Sequence, residues 1–245
     1  MDPREWHEEI PSTQDRAIAL ARAGAPAGTR IVAARQSRGR GRLDHVWLSP
    51  PGGLYLSVIV PRPTRHVTLL PLAIGAELAG ELERRWSVRP RLKWPNDLYI
   101  EDAPTAPRKL SGILVDAVDR APSVRLAVAG IGVNVAVPRD GFPAGLAVPP
   151  IALEELVRPR PDLADVEDAA ATSAVRAAAA LDGAESAHGV VERCRRLLYG
   201  IGRPASVDGI PSGTIVDVAD DGALVLEQDG VSVTVRAGDL TVEGR

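Results

Sequence analysis

Residues 91–137 read RLKWPNDLYIEDAPTAPRKLSGILVDAVDRAPSVRLAVAGIGVNVAV. Strand-like runs crowd this stretch: RLKW and LYI on either side of a Pro-Asn-Asp turn, then KLSGILVDAV, then SVRLAVAGIGVNVAV. Just upstream, GLYLSVIV (53–60) reads as a buried strand closed by Pro61 and Pro63. Between them HVTLLPLAIGAELAGELERRW (66–86) has helical periodicity, with acids and arginines on its outer positions. A strand-rich centre with helices interspersed is the pattern of an α+β fold, not of regular βαβ units.

Farther out, STQDRAIALARAGA starts a helix at Ser12, a good N-cap. Asp15, three residues on, sits where an acid can reach back and also meets the positive end of the helix dipole. TRIVAAR (29–35) has strand length, and Gln36 to His45, with two glycines, three arginines and no period, is a loop. Residues 138–150 form a proline-bearing loop, while 151–157 and 164–199 are Ala- and Leu-rich and helical, with a break at Asp182-Gly183. After Gly200 come ASVDG, GTIVDVAD, GALVLEQDG, VSVTVRAG and DLTVE, short β runs between Gly- and Asp-containing turns, as in a small antiparallel barrel. That tail holds eight acids and three arginines, and a domain boundary near Gly200 is expected, dividing the chain into 1–199 and 200–245.

The 245 residues are 45% hydrophobic and 25% charged, an ordinary globular composition. A net charge of −3 gives no overall field to hold the molecule on nucleic acid or an anionic membrane. One cysteine, Cys194, excludes an intramolecular disulfide framework and a multi-cysteine metal site, and fits a reducing compartment. MDPREWHEEI carries acids where a signal peptide is basic, and there is no uninterrupted apolar run of about 18 residues to span a bilayer. A soluble cytoplasmic protein without a membrane partner is expected.

Of 29 basic residues only two are lysines, Lys93 and Lys109, and both fall in the opening stretch. A lysine in such a chain marks a position where a compact ammonium suits and a planar guanidinium does not, or else a survivor of an arginine-favouring codon bias. Lys109 is the stronger case, because it precedes a strand whose Gly112 permits close approach of backbone to a ligand. In QSRGRGRLDHVWLSPPGGLYLS (36–57), alternate glycines and Arg38, Arg40 and Arg42 make an anion clamp suited to phosphate oxygens. The same pattern also suits a solvated basic loop or an RNA-binding Arg/Gly motif. It is not a dinucleotide fingerprint, since Asp44 stands where a third glycine is needed and a strand follows. Asn96 and Asp97 hold a ligand or satisfy their own turn, and Asn134 reads a base edge or satisfies its loop. Trp47, Tyr55, Trp94 and Tyr99 pack a core or wall a flat ring. No GxSxG is present, and His7, His45, His66 and His188 lack metal-ligand spacing.

Taken together and in order, these segments resemble the biotin protein ligases, enzymes that attach biotin to a lysine of carboxylase carrier domains. The match runs through STQD, QSRGRGR with the following tryptophan, SPPGGLYLS, KWPNDLY, RKLSGIL and GIGVNV, and covers nearly the whole chain. The resemblance implies a class II synthetase-like core, a mixed sheet flanked by helices, followed by an SH3-like barrel. It implies ATP and biotin as substrates, Mg²⁺ with them, and a biotin carboxyl carrier protein as partner, with a homodimer among the assembly states. Ser12, Thr13, Gln14 and Gln36 would hold the ureido ring, and Gly112 would lie against the biotin. Arg40, Gly41 and Arg42 would belong to a loop closing over biotin and adenylate. Trp47 would pack near the adenine, Asn96 and Asn134 would contact the nucleotide, and Lys109, with Arg42, would act on the carboxylate and α-phosphate. Two departures stand out: the family usually has Asn where this chain has Gln14, and Gly with a basic residue where it has Asp44-His45. Eleven residues before Ser12 leave no room for the DNA-binding segment some members carry, so a ligase-only form is expected. The rivals are a lipoate ligase-like acyl transferase, an RNA-binding module using residues 30–42, and a biotin-sensing regulator.

Overall fold

A computed structural model describes residues 3–43, 45–64, 66–101, 106–121, 124–182 and 184–243. Its first sheet is built from β1 (Arg4–Ile10), β2 (Arg30–Gln36), β3 (Gly53–Pro61), β4 (Arg91–Lys93), β5 (Asp97–Ile100), β6 (Arg108–Ala121) and β7 (Val124–Asn134). The strand order is β1-β2-β3-β7-β6-β5-β4, with β1 parallel to β2 and the other neighbours antiparallel. The expected mixed sheet is therefore present. The opening stretch folds as a run of antiparallel strands, β4 to β7, just as four strand-length runs without an intervening helix require.

Helix α1 (Thr13–Ala23) covers one face of this sheet, and α2 (Leu70–Trp86) and α4 (Leu163–Ala180) cover the other; α3 (Leu153–Leu156) and α5 (Ala184–Leu197) complete the helices. Strand β3 shows why both faces are needed. Its residues 53–60 are all buried: Leu54, Leu56, Val58 and Val60 join the large core with α2 and α4, while Ile59 packs with Ala17 and Ala21 of α1. Side chains alternate faces along a strand, so an unbroken apolar run needs cover on both sides.

Two local readings need correction, and one element went unread: REWHEEI, read only for its lack of a signal peptide pattern, is an edge strand, parallel to β2 from Arg4↔Arg30 to Ile10↔Gln36. The second helix begins at Leu70, not at 66, because His66 sits at φ 54° and 67–69 form a 3-10 turn. Asp15 meets the dipole of α1, but its carboxylate turns to Arg40 rather than back to the cap. Asp44 of the Asp44-His45 departure and Gly183 of the helix break lie outside the described residues.

Strands β8 (Pro204–Val207), β9 (Ile210–Val218), β10 (Leu224–Gln228), β11 (Val231–Val235) and β12 (Leu240–Val242) form a second, antiparallel sheet in the order β11-β10-β9-β8-β12. It matches the small β unit expected after 200. Its buried Ala205, Ile215, Val218 and Leu226 belong to the same apolar cluster as α2 and α4.

Candidate active site

The α1 face of the central sheet is floored with small residues. Register places Tyr55 opposite Gly132, Gly132 opposite Gly112, and Gly112 opposite Asp97; the next row runs Ser57, Gly130, Leu114. Three glycines side by side on alternate positions leave a trough where larger side chains would fill the space. Over it lies a cavity of about 130 Å³, whose walls include Thr13, Gln14, Gln36, Arg40, Arg42 and Lys109. Gly41, Trp47, Asn96 and Gly112 line it too.

One end is polar and fully cross-linked. Gln36 Oε1 accepts from the Thr13 backbone N–H at 2.8 Å and from Thr13 Oγ1 at 3.1 Å, and its Nε2 donates to Ser49 Oγ at 2.9 Å. Gln14 Nε2 donates to Val128 O and to Asp116 Oδ2, both at 3.0 Å, and its Oε1 accepts from Ser57 Oγ at 3.0 Å. Ser12 is not part of this wall: as N-cap its hydroxyl accepts the Asp15 N–H at 3.3 Å.

At the other end Lys109 Nζ pairs with Asp97 Oδ2 at 2.7 Å and stands 5.2 Å from the centre of the Trp47 ring, a cation–π distance. Trp47 lies on the glycine floor: a Cβ on Gly112 would come within 2.7 Å of its ring, and one on Gly132 would collide with it. Two polar atoms here, Trp47 Nε1 and Asp97 Oδ1, are buried without a hydrogen-bond partner among the described residues. Buried orphans are uncommon in a settled interior and mark where a ligand would supply partners. Asn96 and Asn134 are already engaged, the first donating to Ile113 O at 2.8 Å and the second to Lys109 O at 3.1 Å. Asn134 nonetheless borders an adjoining cavity of about 570 Å³, walled by Tyr99, Phe142, Tyr199 and Lys93.

The glycine–arginine loop lines the first cavity with Arg40, Gly41 and Arg42, meets the second through His45, and is held from two sides. Arg40 pairs with Asp15 at 3.0 Å and Asp116 at 3.2 Å, while Arg42 reaches Gly238 O at 3.5 Å and Asp239 at 3.6 Å on the second sheet's side. Ser57, Asp116 and Asp239 were missed by the sequence reading, and Asp97 was weighed as a ligand holder or a turn residue but not as the partner of Lys109. For Asp116 a signal existed: it lies on the same face as Gly112, four residues along one strand.

Lys93 borders the larger cavity, and burial pulls its ammonium below the ordinary 10.5, outweighing the attraction of Asp97, with Lys109 and Arg42 adding repulsion. The folded state thus binds fewer protons than the unfolded chain just below pH 10.5, and stability rises with pH through that range. Lys93→Met is expected to flatten the rise. Parallel stability curves for the two proteins from pH 8 to about 10.5 would show that Lys93 is not the source.

A profile of the biotin/lipoate A/B protein ligase family matches residues 6–134. The chain is 34% identical over 227 residues to the bifunctional ligase/repressor BirA of Salmonella typhimurium, covering 88% of this chain and 67% of that one. It is 35% identical over 141 residues to BirA of Bacillus spizizenii, a match over 56% of this chain that spans only 42% of the relative's length. Among solved structures it is similar to the biotin protein ligase of Aquifex aeolicus in complex with biotin and ATP, with a TM-score of 0.82, 24% identity and 99% of each chain covered. That last likeness speaks for the fold, and the family profile and the Salmonella relative speak for descent: the chain belongs to the biotin/lipoate A/B protein ligase family.

Proposed function

We propose that the protein is an ATP-dependent biotin–protein ligase, which activates biotin as biotinyl-5'-AMP and passes the biotinyl group to a lysine of a carboxylase carrier domain. The observation that carries this is the convergence on one trough of a hydrogen-bonding end, an ammonium and two loop arginines. The polar end, Thr13, Gln14 and Gln36, offers the amide and hydroxyl chemistry a ureido ring requires. Lys109 and Arg42 stand toward the other end, where the carboxylate would meet the nucleotide, and the adjoining cavity has the size and aromatic walls that suit a nucleotide subsite.

In the first step a carboxylate oxygen attacks the α-phosphorus of ATP and the bond to pyrophosphate breaks. In the second an amine attacks the acyl carbon, an amide forms, AMP leaves and the amine gives up a proton. The first step brings an anion to a polyanion, so its barrier is lowered by positioning and by cations aimed at the phosphoryl oxygens. No side-chain base is needed there, because the carboxylate is already ionised at neutral pH. Mg²⁺ fits as an ion held largely by phosphate oxygens: the described residues contain no cluster of three metal-ligating side chains, but Asp97 offers one carboxylate with an unpaired oxygen. When bound it would neutralise phosphate charge.

A carrier protein as acceptor, a cytoplasmic setting, a homodimer and a division of the chain at 200 belong to the same reading. No described helix is long and apolar enough to cross a membrane. The purified chain is expected to catalyse ATP–pyrophosphate exchange that depends on biotin. Exchange with lipoate but not biotin would move it to the lipoate branch, and steeply salt-dependent RNA binding without exchange would replace the enzyme reading altogether.

A further inference from the structure

Nothing in the reaction just described uses Asp116, yet its carboxylate touches both Gln14 at the polar end of the cavity and Arg40 of the loop. A single oxygen, Oδ2, accepts from Gln14 Nε2 at 3.0 Å and pairs with Arg40 Nη1 at 3.2 Å. The rest of the Gln14 amide is fixed by Val128 O and Ser57 Oγ, and Ser57 Oγ in turn lies 2.9 Å from Thr13 Oγ1. Gly130 makes room for this arrangement, since a Cβ there would stand 2.5 Å from Gln14 Oε1. The amide of Gln14 is what spans from α1 to the Asp116 carboxylate on β6.

Arg40 has a second acid in Asp15, but the Asp15 side chain is 57% exposed against 29% for Asp116. An exposed pair in water is weak, so Asp116 is the firmer hold on the loop. It is also the only one of the two that reaches the pocket amide.

We propose that Asp116 is a positioning residue that couples the pocket to the loop: holding Gln14 and Arg40 on one oxygen makes the set of the pocket amide and the closure of the loop depend on each other. The coupling rests on the ligase reading for its consequence, tighter retention of biotin, but not for its mechanical half. Without the carboxylate, Gln14 Nε2 keeps one acceptor and Arg40 keeps only the exposed acid.

The test uses the full chain with Asp116→Ala, Asp116→Glu and Asp15→Asn, each checked for a cooperative melt; Asp116→Asn serves if the alanine variant does not fold. Limited proteolysis within 36–46 is followed without ligand, and KM for biotin and kcat are taken from ATP–pyrophosphate exchange. Asp116→Ala is expected to speed cleavage and to raise KM about tenfold with kcat changed by less than about threefold, the scale of a lost charge-assisted hydrogen bond. Asp116→Glu should recover much of the KM. Asp15→Asn should speed cleavage while moving KM by less than about twofold, since it holds the loop and not the pocket. A folded Asp116→Ala with wild-type KM overturns the coupling, as does an Asp15→Asn that raises KM equally. If the wild type shows no biotin-dependent exchange, the ligase reading fails by itself; unchanged cleavage in the ligand-free Asp116 variants then overturns the hold on the loop as well.

Discussion

Lys109→Ala is expected to slow adenylate formation by about a hundredfold or more, while biotin binding weakens far less. Deleting one preorganised donor at a developing oxyanion typically costs about 2.7–4 kcal/mol of transition-state stabilisation. Lys109 has the placement for that role: its ammonium is anchored by Asp97 at 2.7 Å and backed by the Trp47 ring, so little reorganisation is required as charge develops nearby. The alanine variant also leaves Asp97 without its cation. Asp97 Oδ1 is already unpaired, so the loss exposes a whole buried carboxylate beside a polyanionic substrate. That repulsion adds to the effect on chemistry and leaves the polar end of the cavity untouched. Lys109→Arg should not restore the rate, because a planar guanidinium spreads its charge over a fork and does not present a compact point charge. Single-turnover adenylate formation and calorimetric biotin binding separate the two effects, and wild-type-like adenylation by the alanine variant would remove Lys109 from the mechanism.

The elements that sequence made legible are those with strong local signals. Strands β3 to β7 announce themselves by apolar runs cut by Pro, Asn and Gly, and β8 to β12 by five short runs between glycine turns. Strand β1 carries no such signal: it lies at the sheet's edge, its residues are only partly buried or exposed, and Trp6 is 43% exposed. An edge strand held by one ladder of backbone bonds need not write an apolar pattern. The start of α2 was misplaced by a few residues although Pro71 stands in its first turn, where proline is well tolerated. In the site, the loop and Lys109 could be singled out because glycine alternation and rare lysines are visible in composition. Ser57 could not, and the even spacing of Asp116 from Gly112 marks only its face, since the approach of both to Gln14 depends on cross-strand register and on how α1 lies over the sheet. Asp239 is farther still from the loop in sequence and meets Arg42 only through the docking of the second sheet.

That docking sets the largest expected loss of stability, at Trp94. Its side chain is 1% exposed, and its indole N–H donates across to Gly222 O, 3.0 Å away, in the turn between β9 and β10. Gly222 itself sits at φ +84°, and a Cβ there would approach Leu69 Cα to 2.9 Å, so the turn is seated closely against the first unit. Arg195 of α5 adds contacts to Asp217 and Val218 O on β9. Trp94→Ala opens a large cavity at this seam and leaves Gly222 O unpaired, and is expected to cost about 3–5 kcal/mol. Trp94→Phe keeps most of the apolar volume and should cost less, with about 1–3 kcal/mol assignable to the unsatisfied carbonyl. Because the two sheets share one apolar cluster, wild-type denaturation should be a single cooperative transition, with the midpoint lowered in both variants. Two resolved transitions in the wild type would show that the second sheet folds independently and that the seam is weaker than its packing implies. The same seam bears on the proposed role of Arg42, since Gly238 O and Asp239 hold that side chain from the second sheet's side. Trp94→Phe, still folded at assay temperature, should therefore lose activity in proportion to the loosening of the Arg42 end of the loop, with the Arg40 end still held by Asp116.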